Sequence, residues 1–278
     1  MRTAKHGAHS EAVGYFTKGL ELLSRLPAGN ARDRRELDLQ MALSWSLFMA
    51  RGPLTLEREP ALVRARQLCE HLGDHTKLME ALVALAHLHR KLGDFELTRE
   101  LAEEVLAMDQ ETQVSTPLAG AHYLLGVVDY STGQFLATRE HFERAVELFG
   151  DDPSDYYGAF YFQTVPNLLV GVLLLLGYPS TALSKDDELL VAARSSSDPN
   201  SIAFNLFSYC FHHLLLRDTR MVAERAEEVV AIAIEHEMRP LQIAAVFFSA
   251  GAQQLRDEMT TELLKCAEVY RKSWSAER

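Results

Sequence analysis

The stretch Leu124 to Phe149, LLGVVDYSTGQFLATREHFERAVELF, reads as two amphipathic helices joined by a tight turn, and the rest of the chain repeats it. Gly133 breaks the first helix, because a residue without a side chain enters the left-handed turn conformation at no steric cost. In the second helix Thr138, Phe142 and Ala145 follow at i, i+4 and i+7 and therefore share one face. That face packs back on the first helix. Gly126, in the middle of the first helix, lets the partner backbone approach closely, and Phe142 is expected to fill the gap between neighbouring pairs.

The same phase recurs along the chain. Gly52, Gly93, Gly133 and Gly177 are spaced by 41, 40 and 44 residues, and Arg217-Asp218 follows 40 residues after Gly177. A fixed period with a helix-breaking residue at each step is the sequence form of stacked helical repeats, which lengthen by adding units rather than by thickening one core.

The set Leu125-Gly126, Gly133-Gln134-Phe135, Phe142 and Ala145 resembles the tetratricopeptide repeat. The periods here exceed the roughly 34 residues of the standard repeat, so the helices or their connections are longer. The phrases EAVGYFTKGLELLSRLP, ARQLCEHLGD, LLGYPSTAL and SIAFNLFSYCFHHLLLRDTRMVAERAEEVV resemble the repeat arm of large bacterial signal-transduction ATPases. In that family the arm follows an ATPase module, often headed by an adenylate/guanylate cyclase or a DNA-binding domain. The resemblance implies an all-α fold, a right-handed superhelix of about 13 helices. It also implies one repeat domain over residues 1–278, with an incomplete first repeat and an irregular last one.

Along the chain the expected helices are Ser10 to Leu26, Leu37 to Ala50, Pro60 to Leu72, Lys77 to Leu92, Phe95 to Met108, Pro117 to Thr132 and Phe135 to Phe149. After the acidic turn Gly150 to Pro153, where a bend near 150–155 is expected, come Tyr156 to Leu176, Pro179 to Arg194, Ile202 to Leu216 and Met221 to Ile234. Pro240 to Leu255 and Met259 to Trp274 close the series. Ser10 stands where an N-cap belongs, Pro166 is expected to kink its helix, and Ser195 to Asn200 reads as a turn that caps the next helix. The first helix matches the second half of a repeat, so its residues Phe16, Leu20 and Leu23 form a candidate docking surface for an upstream module or a second copy of the chain.

Charge narrows the partners. The net charge of −11 argues against a sequence-independent nucleic-acid surface, which needs clustered Lys and Arg. Residues 1–70 carry 11 Lys/Arg against 8 Asp/Glu, and the remainder 17 against 31, so the acidity belongs to the later repeats. The longest apolar run, Leu168 to Leu176, is far below the roughly 18 residues of a membrane span, and no secretory leader is legible, so a cytoplasmic protein without membrane contact is expected.

Catalytic motifs are missing from the sequence. The dipeptide Gly-Lys never occurs, which removes a Walker A loop, and neither GxGxxG nor GxSxG is present. Cys69, Cys210 and Cys266 form no CxxC pair. His71 and His75 flank the helix-ending Gly73, His87 and His89 point to different faces, and His212 and His213 diverge likewise, so no metal site is expected. The acidic pairs Glu103-Glu104, Asp151-Asp152, Asp186-Asp187-Glu188 and Glu227-Glu228 read as solvated faces. The expectation is a chain with no cofactor and no enzymatic activity.

What remains is the face of the first helices, which lines the groove of such superhelices. Counted from the repeat glycine, its residues are Glu80, His87, Arg90 and Lys91, then Tyr123, Tyr130 and Ser131, then Asn167, then Phe204, Phe207 and Phe211. An aromatic and mildly basic groove fits an extended peptide or a partner helix. Packing between repeats competes with binding as the role of the phenylalanines, whereas Arg90, Lys91 and Tyr130 favour a contact surface. The Lys/Asn carboxylate clamp of chaperone-binding relatives is not reproduced. The expected function is a protein-binding regulatory arm of an ATPase or cyclase system; the alternative is a small-ligand receptor or enzyme using a pocket in the superhelix.

Overall fold

The computed structural model describes the backbone of residues 2–52, 55–108, 115–149, 156–238, 241–242, 245–255 and 257, and the side chains of these except 2–8 and 156–162. The described residues form α-helices and their connections, with no strand among them. In chain order the helices are α1 (Arg2–Leu23), α2 (Asn30–Arg51), α3 (Arg58–Leu72), α4 (His75–Leu92), α5 (Phe95–Ala107), α6 (Ser115–Ser131) and α7 (Phe135–Phe149). Then come α8 (Tyr156–Leu175), α9 (Pro179–Ser196), α10 (Pro199–Leu215) and α11 (Thr219–Glu235), followed by helical residues within 241–255. The expected bend at 150–155 and the expected helix Met259 to Trp274 lie outside the described residues.

One turn chemistry builds the array. Gly73, Gly93, Gly133 and Gly177 all adopt positive φ, between 68° and 85°. At each, the N–H of the next residue reaches back five positions: Asp74 to Cys69 O, Asp94 to His89 O, Gln134 to Asp129 O and Tyr178 to Leu173 O. This long-range bond satisfies carbonyls that the helix end leaves unpaired. The residue after the glycine then starts the next helix. Asp74 and Asp94 accept from the N–H groups of Lys77 and Leu97, supplying the oxygen that a helix N-terminus needs. Arg217 takes the glycine's place with φ 58°, keeping the same bond (Asp218 N–H to His213 O) and the same cap (Asp218 to Met221 N–H).

The two helices of a pair are buried differently. In α4 the run Met79 and Ala81 to Leu88 is buried on all sides, whereas α5 buries only Thr98, Leu101, Ala102 and Val105, one stripe. The contrast repeats in α6, buried from Pro117 to Gly126 with few gaps, and α7, which buries Thr138, Phe142 and Ala145 alone. First helices are sandwiched and second helices keep a solvent face, because α4 packs against α3, α5 and α6 at once.

The chain divides into two compact units, Met1–Val165 and Pro166–Arg278. The division falls inside α8 at Pro166, whose missing N–H interrupts the helical ladder. The first unit holds α1 to α7, each helix packed on the next. Within the second, Leu190, Leu206, Cys210, Val222, Val229 and Phe248 form a core shared by α9, α10, α11 and the helical residues beyond 240.

Two expectations change. The first helix begins at Arg2, so Ser10 lies inside α1 rather than capping it. Phe142 sits within its own pair: its ring lies against Gly126 of α6 and stacks on Tyr123 of the same helix, centroids 6.4 Å apart.

Candidate functional site

The turn at Gly93 sets the register of α4, and that register brings His87, Arg90 and Lys91 to its last two turns. Here they meet α6. The His87 ring lies 6.2 Å from Tyr123, and the Arg90 guanidinium lies over the same phenol ring, 5.6 Å from its centroid. Tyr123 in turn stacks on Phe142, so one buried aromatic column links α4, α6 and α7.

The residues of the expected groove divide by exposure. His87 and Tyr123 are buried, at 6% and 3% exposure. Arg90 is half-buried, while Glu80, Lys91, Tyr130 and Ser131 face solvent. Tyr130 is 42% exposed and rests edge-on against Phe135, centroids 5.6 Å apart. The Ser131 hydroxyl donates to the Val127 carbonyl.

The electrostatics at this point run against the chain as a whole. Burial, followed by the charges of Arg90, Lys91 and Arg58, pushes the His87 imidazole down to about 3, so it is neutral near pH 7. Lys91 is lowered by partial desolvation and by Arg90. Burial raises the Tyr123 phenol, with Arg90 opposing the shift. Among the described residues neither Arg90 nor Lys91 has a carboxylate partner, and the buried Arg90 Nε has no hydrogen-bond acceptor. Elsewhere cations are paired across helices, as in Arg64 with Glu36, Arg66 with Glu104, Lys77 with Asp38, Arg99 with Asp129 and Arg194 with Glu228.

In the second unit the expected residues serve packing more than exposure. Asn167 of α8 is buried and donates from Nδ2 to Asn205 Oδ1 of α10 at 3.1 Å. Phe204 and Phe207 are half-buried, the latter edge-to-face with Phe248 in the unit's core, centroids 5.2 Å apart. Phe211 remains exposed at the edge of His212. At the start of the chain, Phe16 and Leu20 are half-buried and Leu23 is buried, while Tyr15, Leu22 and Leu26 are the exposed apolar residues.

Several polar contacts were not legible beforehand. His212 Nδ1 meets Asp186 Oδ2 at 3.0 Å with both side chains buried, and its ring faces Gly171. His213 points elsewhere, stacking on Tyr209 and pairing with Asp218. His122 and His141 face each other, Nδ1 to Nδ1, at 3.0 Å. The signal for such pairs would be an alignment of the repeats, because partners 19 to 26 residues apart share no local spacing. Among the described residues no group of three His, Cys, Asp or Glu is placed to hold a metal ion, and no helix is long and apolar enough to cross a membrane. Two shallow surface depressions, one along Ser180 to Glu188 and one around Arg34 and Gly73, include none of the expected groove residues.

No protein-family model matches the sequence, and neither does any curated protein. Solved structures do match. Apo RapI superposes with a TM-score of 0.65 at 11% identity, covering 92% of this chain and 72% of that one. BtubC (BKLC) from P. vanneervenii gives 0.63 at 15% identity, covering 83% and 92%. The Rap conjugation gene regulator of the plasmid pLS20, solved in complex with the Phr* peptide, gives 0.62 at 12% identity, covering 92% and 71%. At these identities the likeness is one of fold: an all-α array of helix pairs of the tetratricopeptide kind.

Proposed function

We propose that this chain is a non-catalytic regulatory module that binds an extended peptide segment of a partner protein on the face where α4 meets α6. The observation that carries this reading is the grouping of half-buried Arg90, exposed Lys91 and exposed Tyr130 on an otherwise tightly packed pair of first helices. Aromatic and cationic groups left at a surface, after the rest of the helix has been consumed by packing, are the residue types that anchor peptides. The peptide-bound Rap regulator among the similar folds supports the same reading.

The sequence resemblance supports a narrower role, that of the sensor arm of a signal-transduction ATPase or cyclase system, acting in the cytoplasm. Neither role calls for chemistry from this chain. Selection from a randomised decapeptide display library against the purified protein tests the binding function. Enriched peptides whose affinity drops about tenfold in Tyr130→Ala are the expected result, the size of one interfacial aromatic anchor. A library with no enriched peptide rejects it. The narrower role predicts that an ATPase or cyclase encoded beside this chain binds it in purified form, and failure of that pair to associate rejects it.

A further inference from the structure

Within the peptide-binding reading, on which this inference rests, we infer that the α4/α6 face recognises a carboxylate: an Asp or Glu side chain of the peptide, accepted by Arg90 with Lys91 beside it. The chain carries 39 acidic residues against 28 basic ones, so a cation of its own has acidic partners in excess. Arg64, Arg66, Lys77, Arg99 and Arg194 each take one from a different helix. Arg90 does not. Its guanidinium is half-buried, held over the Tyr123 ring at 5.6 Å, with the buried Nε unbonded.

The neighbourhood explains why no acid among the described residues answers it. Among the described residues the charges that act on His87 are those of Arg90, Lys91 and Arg58, all cations, and the charge that acts on Lys91 is that of Arg90. Nearby Glu59 and Asp94 are oriented instead toward His89, at 3.4 and 3.7 Å. Two cations at a helix C-terminus do complement the helix dipole, which accounts for positive charge there. The dipole does not account for a guanidinium fixed on an aromatic face with one N–H left bare, an arrangement that costs stability until an acceptor arrives. A planar fork so held is suited to a carboxylate, which it binds through two parallel hydrogen bonds. Neutral, buried His87 beside it adds no competing charge.

The test is the composition of selected peptides. Decapeptide libraries are selected in parallel on the wild-type protein, Arg90→Gln, Arg90→Lys and the control Arg144→Gln, which removes an exposed residue of α7 paired with Glu147. Matching thermal midpoints establish that each variant is folded. Wild type and Arg144→Gln should enrich peptides rich in Asp and Glu. Their affinity should fall about tenfold to a hundredfold in Arg90→Gln, the scale of a charge-assisted bidentate contact. Arg90→Lys should keep the acidic preference with weaker binding, since it retains the charge and loses the fork. Enriched peptides with no acidic bias, or an acidic bias that survives Arg90→Gln unchanged, overturn the carboxylate assignment and leave peptide binding standing. A selection that enriches nothing on any protein removes both.

Discussion

The Phe142 ring occupies the space that a side chain at position 126 would need: a Cβ on Gly126 would lie 2.5 Å from the ring. The ring cannot swing clear, because it is 1% exposed and stacked on Tyr123. Gly126→Ala should therefore destabilise the protein by about 1–3 kcal/mol, the cost of overpacking. Phe142→Ala should cost about 3–5 kcal/mol. In the double variant the alanine methyl enters vacated space, so urea unfolding should show a loss well below the sum of the two.

Turn glycines make a different prediction. A side chain at Gly93 would meet nothing within 4 Å, so the cost of Gly93→Ala is conformational only, about 1–2 kcal/mol for a left-handed residue. Arg217 already bears that cost at φ 58°. Arg217→Gly should raise stability by about 0.5–1 kcal/mol after allowing for the greater freedom of glycine in the unfolded chain. Both effects are read from chemical denaturation midpoints at constant slope.

Buried His87 gives the fold an acid sensitivity. Its folded-state value of about 3 lies below the ordinary 6.5, so the unfolded chain takes up a proton that the folded chain refuses. Stability from this group is complete above about pH 6.5 and is lost as pH falls toward 3, at up to about 1.4 kcal/mol per pH unit. His87→Leu should flatten that part of the stability profile, with the gap between wild type and variant shifting in favour of the variant below pH 6.

The Asp186 and His212 side chains join α9 to α10 with neither exposed to water. Asp186→Ala leaves a buried ring nitrogen without its acceptor and should cost about 1–3 kcal/mol. Asp186→Asn keeps an acceptor oxygen and should cost less. Thermal unfolding of the two variants separates these outcomes.

Helix existence and phase were legible in the sequence because they rest on local chemistry. Gly93, Gly133 and Gly177 announce turns by themselves, the turn Ser195 to Asn200 announces the cap that Asp198 supplies to α10, and the buried face of α7 is the predicted set Thr138, Phe142 and Ala145. The start of α1 was missed because Ser10 has the side chain of a cap, and in a helix interior it simply points outward. For the candidate site, the register identified which residues share a helix face but not how deeply each is buried. His87 and Tyr123 are buried, since their depth depends on how closely α6 approaches α4. Long-range polar pairs such as His212 with Asp186 were illegible for the same reason, as tertiary distance leaves no trace in local spacing.

Hydrogen–deuterium exchange of the intact chain, with and without a library-selected peptide, tests the central claim most directly. Bound peptide should slow exchange in residues 87–92 of α4 and 123–131 of α6, with little change in α1 or α9. Protection confined to α1, α9 or the outer face of α7 would contradict a binding site on the α4/α6 face.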